Sequence, residues 1–105
     1  MKIVCFGAGA IGAYIGGSLA LAGHEITFVE RPASVPRLTA SGIRLELPDG
    51  SRHHVTNFRV FDNFEAAAAD GSFDLAILAV KSFDTDAVLT SLAPWQAGLP
   101  PFLSL

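Results

Sequence analysis

Cysteine is nearly missing from this sequence. A single one, Cys5, stands among 105 residues, which excludes an internal disulfide framework and a multi-cysteine zinc site. Lysine is almost as scarce, with only Lys2 and Lys81. Charged residues make up 16% and the formal net charge is -3, so there is no basic footprint for nucleic acid. No uninterrupted apolar run reaches the roughly 18 residues that a membrane span requires. Met1-Lys2-Ile3-Val4 has the flavour of a signal peptide, but glycines break the apolar stretch from Gly7 onward. The chain shows no internal repeat, linker or low-complexity segment. These absences leave a globular domain, with the cytoplasm as the expected compartment.

What is abundant is apolar. Half of the residues are hydrophobic and the mean hydropathy is +0.44, which rules out a disordered segment. The length allows one domain. A domain this small leaves much of its surface in water, so the surplus apolar content implies that something else covers part of it.

The order of patterns is that of an α/β protein. Residues 3–6 form a short apolar run ending at Gly7 and read as a fully buried strand. Ile11, Tyr14, Ile15, Ser18, Leu19 and Ala22 follow helical spacing, and Gly23 supplies the stop. Residues 25–30, with Ile26, Thr27, Phe28 and Val29, read as a second strand. Strand, helix and strand in about 30 residues make a right-handed crossover unit. Ser34 is placed to cap a short helix through Ala40, ended by Gly42. Ile43, Leu45 and Leu47 alternate with polar residues, Pro48-Asp49-Gly50 is a turn, and residues 52–60 are expected to return as the second arm of a hairpin. Residues 65–70 read as an alanine-rich helix ending at Gly71, and residues 74–80 as another buried parallel strand. Asp84 and Asp86 suit the first turn of a helix carrying Val88, Leu89 and Leu92, which Pro94 ends. Residues 101–105 begin a further strand. The expected fold class is α/β, a doubly wound Rossmann-type arrangement: a mostly parallel sheet, helices on both faces and a small irregular hairpin insertion.

Gly7-Ala8-Gly9-Ala10-Ile11-Gly12 fits G-x-G-x-x-G. The pattern alone is weak, but here it follows an expected strand and opens an expected helix, the context that gives it meaning. Gly7 permits the tight turn, Gly9 leaves room for a pyrophosphate, and Gly12 lets helix and strand approach. The free amides and helix dipole make that end an anion site. Gly16 extends the small-residue face by one turn. At the end of the second strand, an acid would bind the ribose hydroxyls of NAD and an arginine the 2′-phosphate of NADP. The sequence offers both, Glu30 and then Arg31, with Arg37 as a second phosphate partner. Spacing leaves NAD and NADP both open.

Lys81 follows the run 75–80 at the carboxyl end of a parallel strand, where ligands bind in open α/β sheets. It can reach a cofactor ribose or phosphate, an anionic substrate, or simply solvent. Ser82 and Thr85 suit helix capping. Cys5 reads as a small core residue, and His24 as a helix-end cation. His53 and His54 are adjacent on a strand, so they point to opposite faces and do not easily share a metal. Trp95 and Phe102 are candidates to pack against whatever covers the domain.

Several of these segments together resemble ketopantoate reductase (2-dehydropantoate 2-reductase). They are Met1-Lys2-Ile3 leading into the glycine motif, the helix end Leu19-Ala20-Leu21-Ala22-Gly23-His24, Arg31 after the second strand, and Leu78-Ala79-Val80-Lys81 with Asp84-Thr85. The resemblance covers essentially all of residues 1–105, and matches only the N-terminal, dinucleotide-binding half of such enzymes. It implies NADPH-dependent reduction of ketopantoate to pantoate, on the way to pantothenate and coenzyme A. By resemblance, Gly7, Ala8, Gly9, Ala10, Ile11 and Gly12 hold the pyrophosphate, Arg31 the 2′-phosphate, and Lys81 the cofactor across the cleft. Family members continue into an Asn-Gly segment and a helical domain with the catalytic lysine and a substrate-binding acid, so no catalytic residue is assigned to this chain. Its isolated 105 residues are expected to be inactive. Glu30 is unusual beside an NADP-type arginine and keeps two alternatives open: an NAD-dependent 2-hydroxyacid dehydrogenase of the same family, and a non-catalytic dinucleotide-binding module. The implied partners are the dinucleotide and a small 2-oxo acid, with a homodimer left open and neither nucleic acid, membrane nor metal expected.

Overall fold

The computed structural model describes residues 1–69, 71–79 and 101–104. In chain order the elements are β1 (Lys2–Phe6), α1 (Ala10–Leu21), β2 (Glu25–Val29), α2 (Val35–Ser41), β3 (Ile43–Glu46), β4 (Arg52–Val55), β5 (Phe58–Phe61), α3 (Phe64–Ala69), β6 (Leu75–Leu78) and β7 (Phe102–Ser104). Among the described residues there is a five-stranded sheet of order β5-β2-β1-β6-β7 and a separate β3-β4 pair. Every pairing in the larger sheet is parallel, and the hairpin is antiparallel. The strand order runs outward from β1 to β2 and β5, then returns to β6 on the other side of β1. That reversal is the switch point of a doubly wound α/β fold, and it opens a crevice at the carboxyl ends of the strands.

Strand alternation divides the core. Ile3, Cys5, Ile26, Phe28 and Ile77 face α1, α2 and the hairpin, with Ala20, Leu38, Ile43, Leu45 and Val55. Val4, Phe6, Ala76 and Leu78 face the other way, against Phe64 of α3. Successive side chains of β1 therefore feed two different layers, which explains a continuous apolar run in a strand buried on both faces.

Helix α1 departs from its sequence reading. The expected stripe was Ile11, Tyr14, Ile15, Ser18, Leu19 and Ala22. Ile11 and Tyr14 are instead 64% and 41% exposed, and Ala22 is exposed. The buried positions are Gly12, Gly16, Gly17 and Ala20. The reason is bulk on the opposing surfaces. A Cβ at Gly16 would lie 2.5 Å from Phe28 Cζ, and one at Gly17 would lie 2.9 Å from Leu45 Cδ1. Large side chains on the sheet and hairpin leave only the smallest residues room on the helix. Ile15 and Leu19 remain partly buried at its flank.

The insertion also differs from expectation. The single arm expected over residues 52–60 divides at Thr56 and Asn57 into β4, paired with β3, and β5, paired with β2. Phe58 supplies the reason: its ring packs edge-on to Phe28 at 5.3 Å between centroids, which draws the strand into the main sheet. Ser34 stands at the N-cap position of α2 without making a side-chain cap bond, contrary to the role given it. Its helix runs one residue past Ala40, to Ser41. Asn63 instead caps α3, its Oδ1 accepting from the Ala66 amide at 2.7 Å. The helix expected around 84–92 and Trp95 lie outside the described residues.

Candidate functional site

Three strand ends build the site. The parallel register sets Phe6 beside Val29 on one side and Leu78 on the other, so the residues that follow each strand meet at one edge. Gly7 has φ of 98°, a left-handed conformation that glycine adopts without a Cβ penalty. Its amide donates to the Val29 carbonyl at 3.0 Å, tying the turn to β2. On the other side the Ala79 amide donates to the Phe6 carbonyl at 2.9 Å.

From this turn the chain enters α1. Gly9 is the N-cap, in extended conformation, and makes no side-chain cap bond. The Ala13 amide donates to the Gly9 carbonyl at 2.8 Å, closing the first helical turn. The amides of Ala10, Ile11 and Gly12 precede that bond, so they lie among the donors that a helix cannot satisfy internally. The first turn carries no acidic residue. The partial positive charge of the helix start therefore faces outward unopposed by a carboxylate of its own turn.

Two glycines of this loop do opposite things. A Cβ at Gly12 would lie 2.2 Å from the Gly7 carbonyl oxygen and 3.1 Å from Ala79 Cβ. Glycine there is required for the helix start to sit on the turn. A Cβ at Gly9 would meet nothing within 4 Å. Among the described residues nothing packs against that position, and its openness adjoins the donor-rich helix start. An anionic ligand such as a pyrophosphate fits this arrangement of donors and space.

Glu30 and Arg31 follow β2 at the same edge. The Glu30 amide donates to the Phe61 carbonyl at 2.9 Å. Its Oε2 accepts from the Ala8 amide at 2.7 Å, and its Oε1 accepts from the Arg31 amide at 2.9 Å. This latch between β2 and the glycine turn was not read from the sequence, where Glu30 stood only as an acid at ribose spacing. The one available signal was the placement of an acid directly after the strand that neighbours the turn. Arg31 and Arg37 are both exposed. Lys81 lies outside the described residues.

Burial pushes the Cys5 thiol up to about 12, and the negative charge of Glu30 adds to the effect. Cys5 Sγ lies 3.5 Å from the Gly7 carbonyl oxygen, to which it donates. This is an inert core thiol, as its pattern suggested. The histidines serve local structure. His24 Nδ1 is 3.1 Å from the terminal amine of Met1. His53 Nε2 is 3.0 Å from Ser51 Oγ, whereas His54 Nε2 is 2.7 Å from the Ser41 carbonyl oxygen. Among the described residues no group of three or more His, Cys, Asp or Glu side chains could hold a metal, and no helix is long and apolar enough to cross a membrane.

The parallel doubly wound sheet and the glycine turn at its switch point define the class: an α/β unit of the dinucleotide-binding kind. The family Ketopantoate reductase PanE/ApbA matches residues 3–98, and the chain belongs to that family. Among its relatives, 2-dehydropantoate 2-reductase of Pyrococcus horikoshii is 33% identical over 87% of this chain and 28% of its own length. The crystal structure of a PanE/ApbA family ketopantoate reductase from Ralstonia eutropha JMP134 is 36% identical, with a TM-score of 0.73, over 90% of this chain and 30% of that one. D-mandelate dehydrogenase, solved with NADH and anilino(oxo)acetate, is 22% identical with a TM-score of 0.78, over 100% of this chain and 33% of that one; this likeness is one of fold. The chain spans 28% to 33% of the length of the curated relatives it matches.

Proposed function

We propose that this chain is the dinucleotide-binding domain of an enzyme that reduces 2-dehydropantoate to pantoate with NADPH, in the cytoplasm. One observation carries the reading: the turn of Gly7 to Gly12 is closed where helix meets strand and, among the described residues, open over Gly9, at a donor-rich helix start. In this reading the turn of Gly7 to Gly12 binds the pyrophosphate through the amides of Gly9, Ala10, Ile11 and Gly12, while the Ala8 amide is held by Glu30. The Arg31 guanidinium takes the 2′-phosphate, for which its fork of donors is suited, and Lys81 steadies the cofactor from the far side of the cleft. A reduced nicotinamide held there would supply hydride chemistry toward the ketone carbon. The residues of this chain bind and orient; the proton donor belongs to a further, helical domain like that of the family.

Calorimetric titration with NADPH and NADH tests the reading. Binding of at least one by folded protein is expected, and binding of neither overturns it. Arg31→Ala should weaken NADPH by about tenfold, the worth of one charge-assisted contact, and should spare NADH. Equal losses for the two would remove Arg31 from the phosphate. A second reading, NADH as the reductant, is favoured by the Glu30 carboxylate on the Ala8 amide.

A further inference from the structure

β5 is an edge of the larger sheet: β2 pairs with it on one side and, among the described residues, no strand pairs with it on the other. The backbone groups of a strand point alternately to its two sides. The Phe61 carbonyl accepts from the Glu30 amide on the β2 side. The parallel register then turns the amides and carbonyls of Arg59 and Phe61 toward β2, and those of Phe58 and Val60 away from it. Such an edge is a ready template for another strand. Beside it lies a groove of about 340 Å³, lined by Leu38, Thr39, Gly42, Thr56 and β5 itself.

The side chains of β5 also divide. Phe58 and Val60 pack with the core layer that holds Leu38. Arg59 falls on the opposite face and is exposed. A strand laid along β5 therefore sets one side chain directly opposite Arg59 and its two neighbours on the face of Phe58 and Val60. A second copy of this chain fits badly. Antiparallel pairing of two β5 strands through Phe58 and Val60 puts Arg59 against its own counterpart, and like charges directly opposite are destabilising. An acid at that position is favoured, and a guanidinium has five donors, enough to serve it alongside other partners. The surrounding charge has the same sign. Residues 31–59 hold five arginines against two acids, whereas the rest of the chain holds two lysines against eight acids. That stretch attracts an acidic segment and repels a basic one.

We infer that β5 is a docking edge for an extended segment of a separate polypeptide whose side chains run apolar, acidic, apolar. The acid faces Arg59, and the flanking apolar side chains lie with Phe58 and Val60 over the groove beside Leu38. Main-chain bonds to Phe58 and Val60 supply affinity, and Arg59 selects the sequence. The surface is independent of the glycine turn and of what that turn binds.

The test is titration of the full chain with two fluorescein-labelled, C-terminally amidated peptides, Thr-Val-Glu-Val-Thr and Thr-Val-Lys-Val-Thr. Anisotropy reads the affinity, and amide hydrogen exchange reads the place. The acidic peptide should bind about tenfold more tightly than the basic one and should slow exchange at the amides of Phe58 and Val60. Arg59→Glu should invert the preference. Val60→Pro removes a donor that points away from β2, so it spares the sheet's own ladder and should abolish binding of the acidic peptide. If Val60→Pro does not fold, Arg59→Glu carries the test. Equal binding of the two peptides, binding of neither by folded protein, or a preference that Arg59→Glu leaves unchanged overturns the proposal. A dimer in sedimentation that Val60→Pro dissociates also overturns it, because the edge then belongs to a second copy.

Discussion

A methyl group added at Gly9 and one added at Gly12 should have separable effects, although the residues are three apart on one loop. At Gly12 the new Cβ would lie 2.2 Å from the Gly7 carbonyl oxygen and 3.0 Å from its carbonyl carbon. Both are backbone atoms of a turn fixed to β2, so no side-chain rotation relieves the contact. Overpacking of this kind costs about 1–3 kcal/mol, and alanine recovers up to about 1 kcal/mol of helix propensity. A net loss of about 2 kcal/mol is expected for Gly12→Ala. At about 4–8 °C per kcal/mol for a domain of this size, the melting temperature should fall by about 8–16 °C. At Gly9 the methyl would meet nothing within 4 Å, and φ of -71° with ψ of -165° suits alanine. The cost is that of a poorer N-cap, about 0.5 kcal/mol, or a few degrees. Binding should order the variants differently. Gly9→Ala places its methyl over the helix start and should weaken dinucleotide binding at least tenfold while the fold stays intact. Circular dichroism melts and calorimetric titration on both variants decide the matter. If folded Gly9→Ala binds like the natural protein, the anion does not approach over Gly9. If it melts as low as Gly12→Ala, the assignment of the two glycines to different tasks is wrong.

Two other residues give sharp expectations. Gly16→Ala should destabilise the protein by about 1–3 kcal/mol, because its Cβ would fall 2.5 Å from the buried Phe28 ring. Phe28→Leu should partly rescue it, with a coupling of about 1 kcal/mol in a double-mutant cycle of urea melts; strict additivity would refute the contact. For Cys5, native protein at pH 8 should react with a thiol reagent far more slowly than urea-unfolded protein, since burial pushes the thiol from 9.0 to about 12. Because the folded value is the higher one, the stability this thiol contributes is whole below pH 9 and declines as pH rises toward 12. Cys5→Ala should flatten that part of the profile, and an unchanged slope would refute the assignment.

The glycine turn was legible because its constraints are local. Tight turn, close approach and helix start each demand a residue type at fixed spacing, and the strand before and helix after could be read from short patterns. Cys5 was legible for the same reason, lying inside an apolar run. The buried face of α1 was not. Hydrophobic spacing selected Ile11 and Tyr14, whereas the sheet beneath accepts only Gly12, Gly16, Gly17 and Ala20. What decides that face is the bulk of Phe28 and Leu45, distant in sequence. β5 was hidden likewise. Residues 52–60 alternate acceptably as one strand, and only the packing of Phe58 on Phe28 shows that the second part joins the main sheet. The Glu30 latch depends on side-chain direction at a strand end, which periodicity does not encode.

The Phe28 ring has no exposed surface, and Gly16 of α1 rests directly against it. Mechanically it is a fulcrum nearly two turns behind the helix start. The bulk of that ring limits how closely the helix carrying the glycine turn can approach the sheet at Gly16. Phe28→Ala should therefore cost about 3–5 kcal/mol of stability and unseat α1 with it.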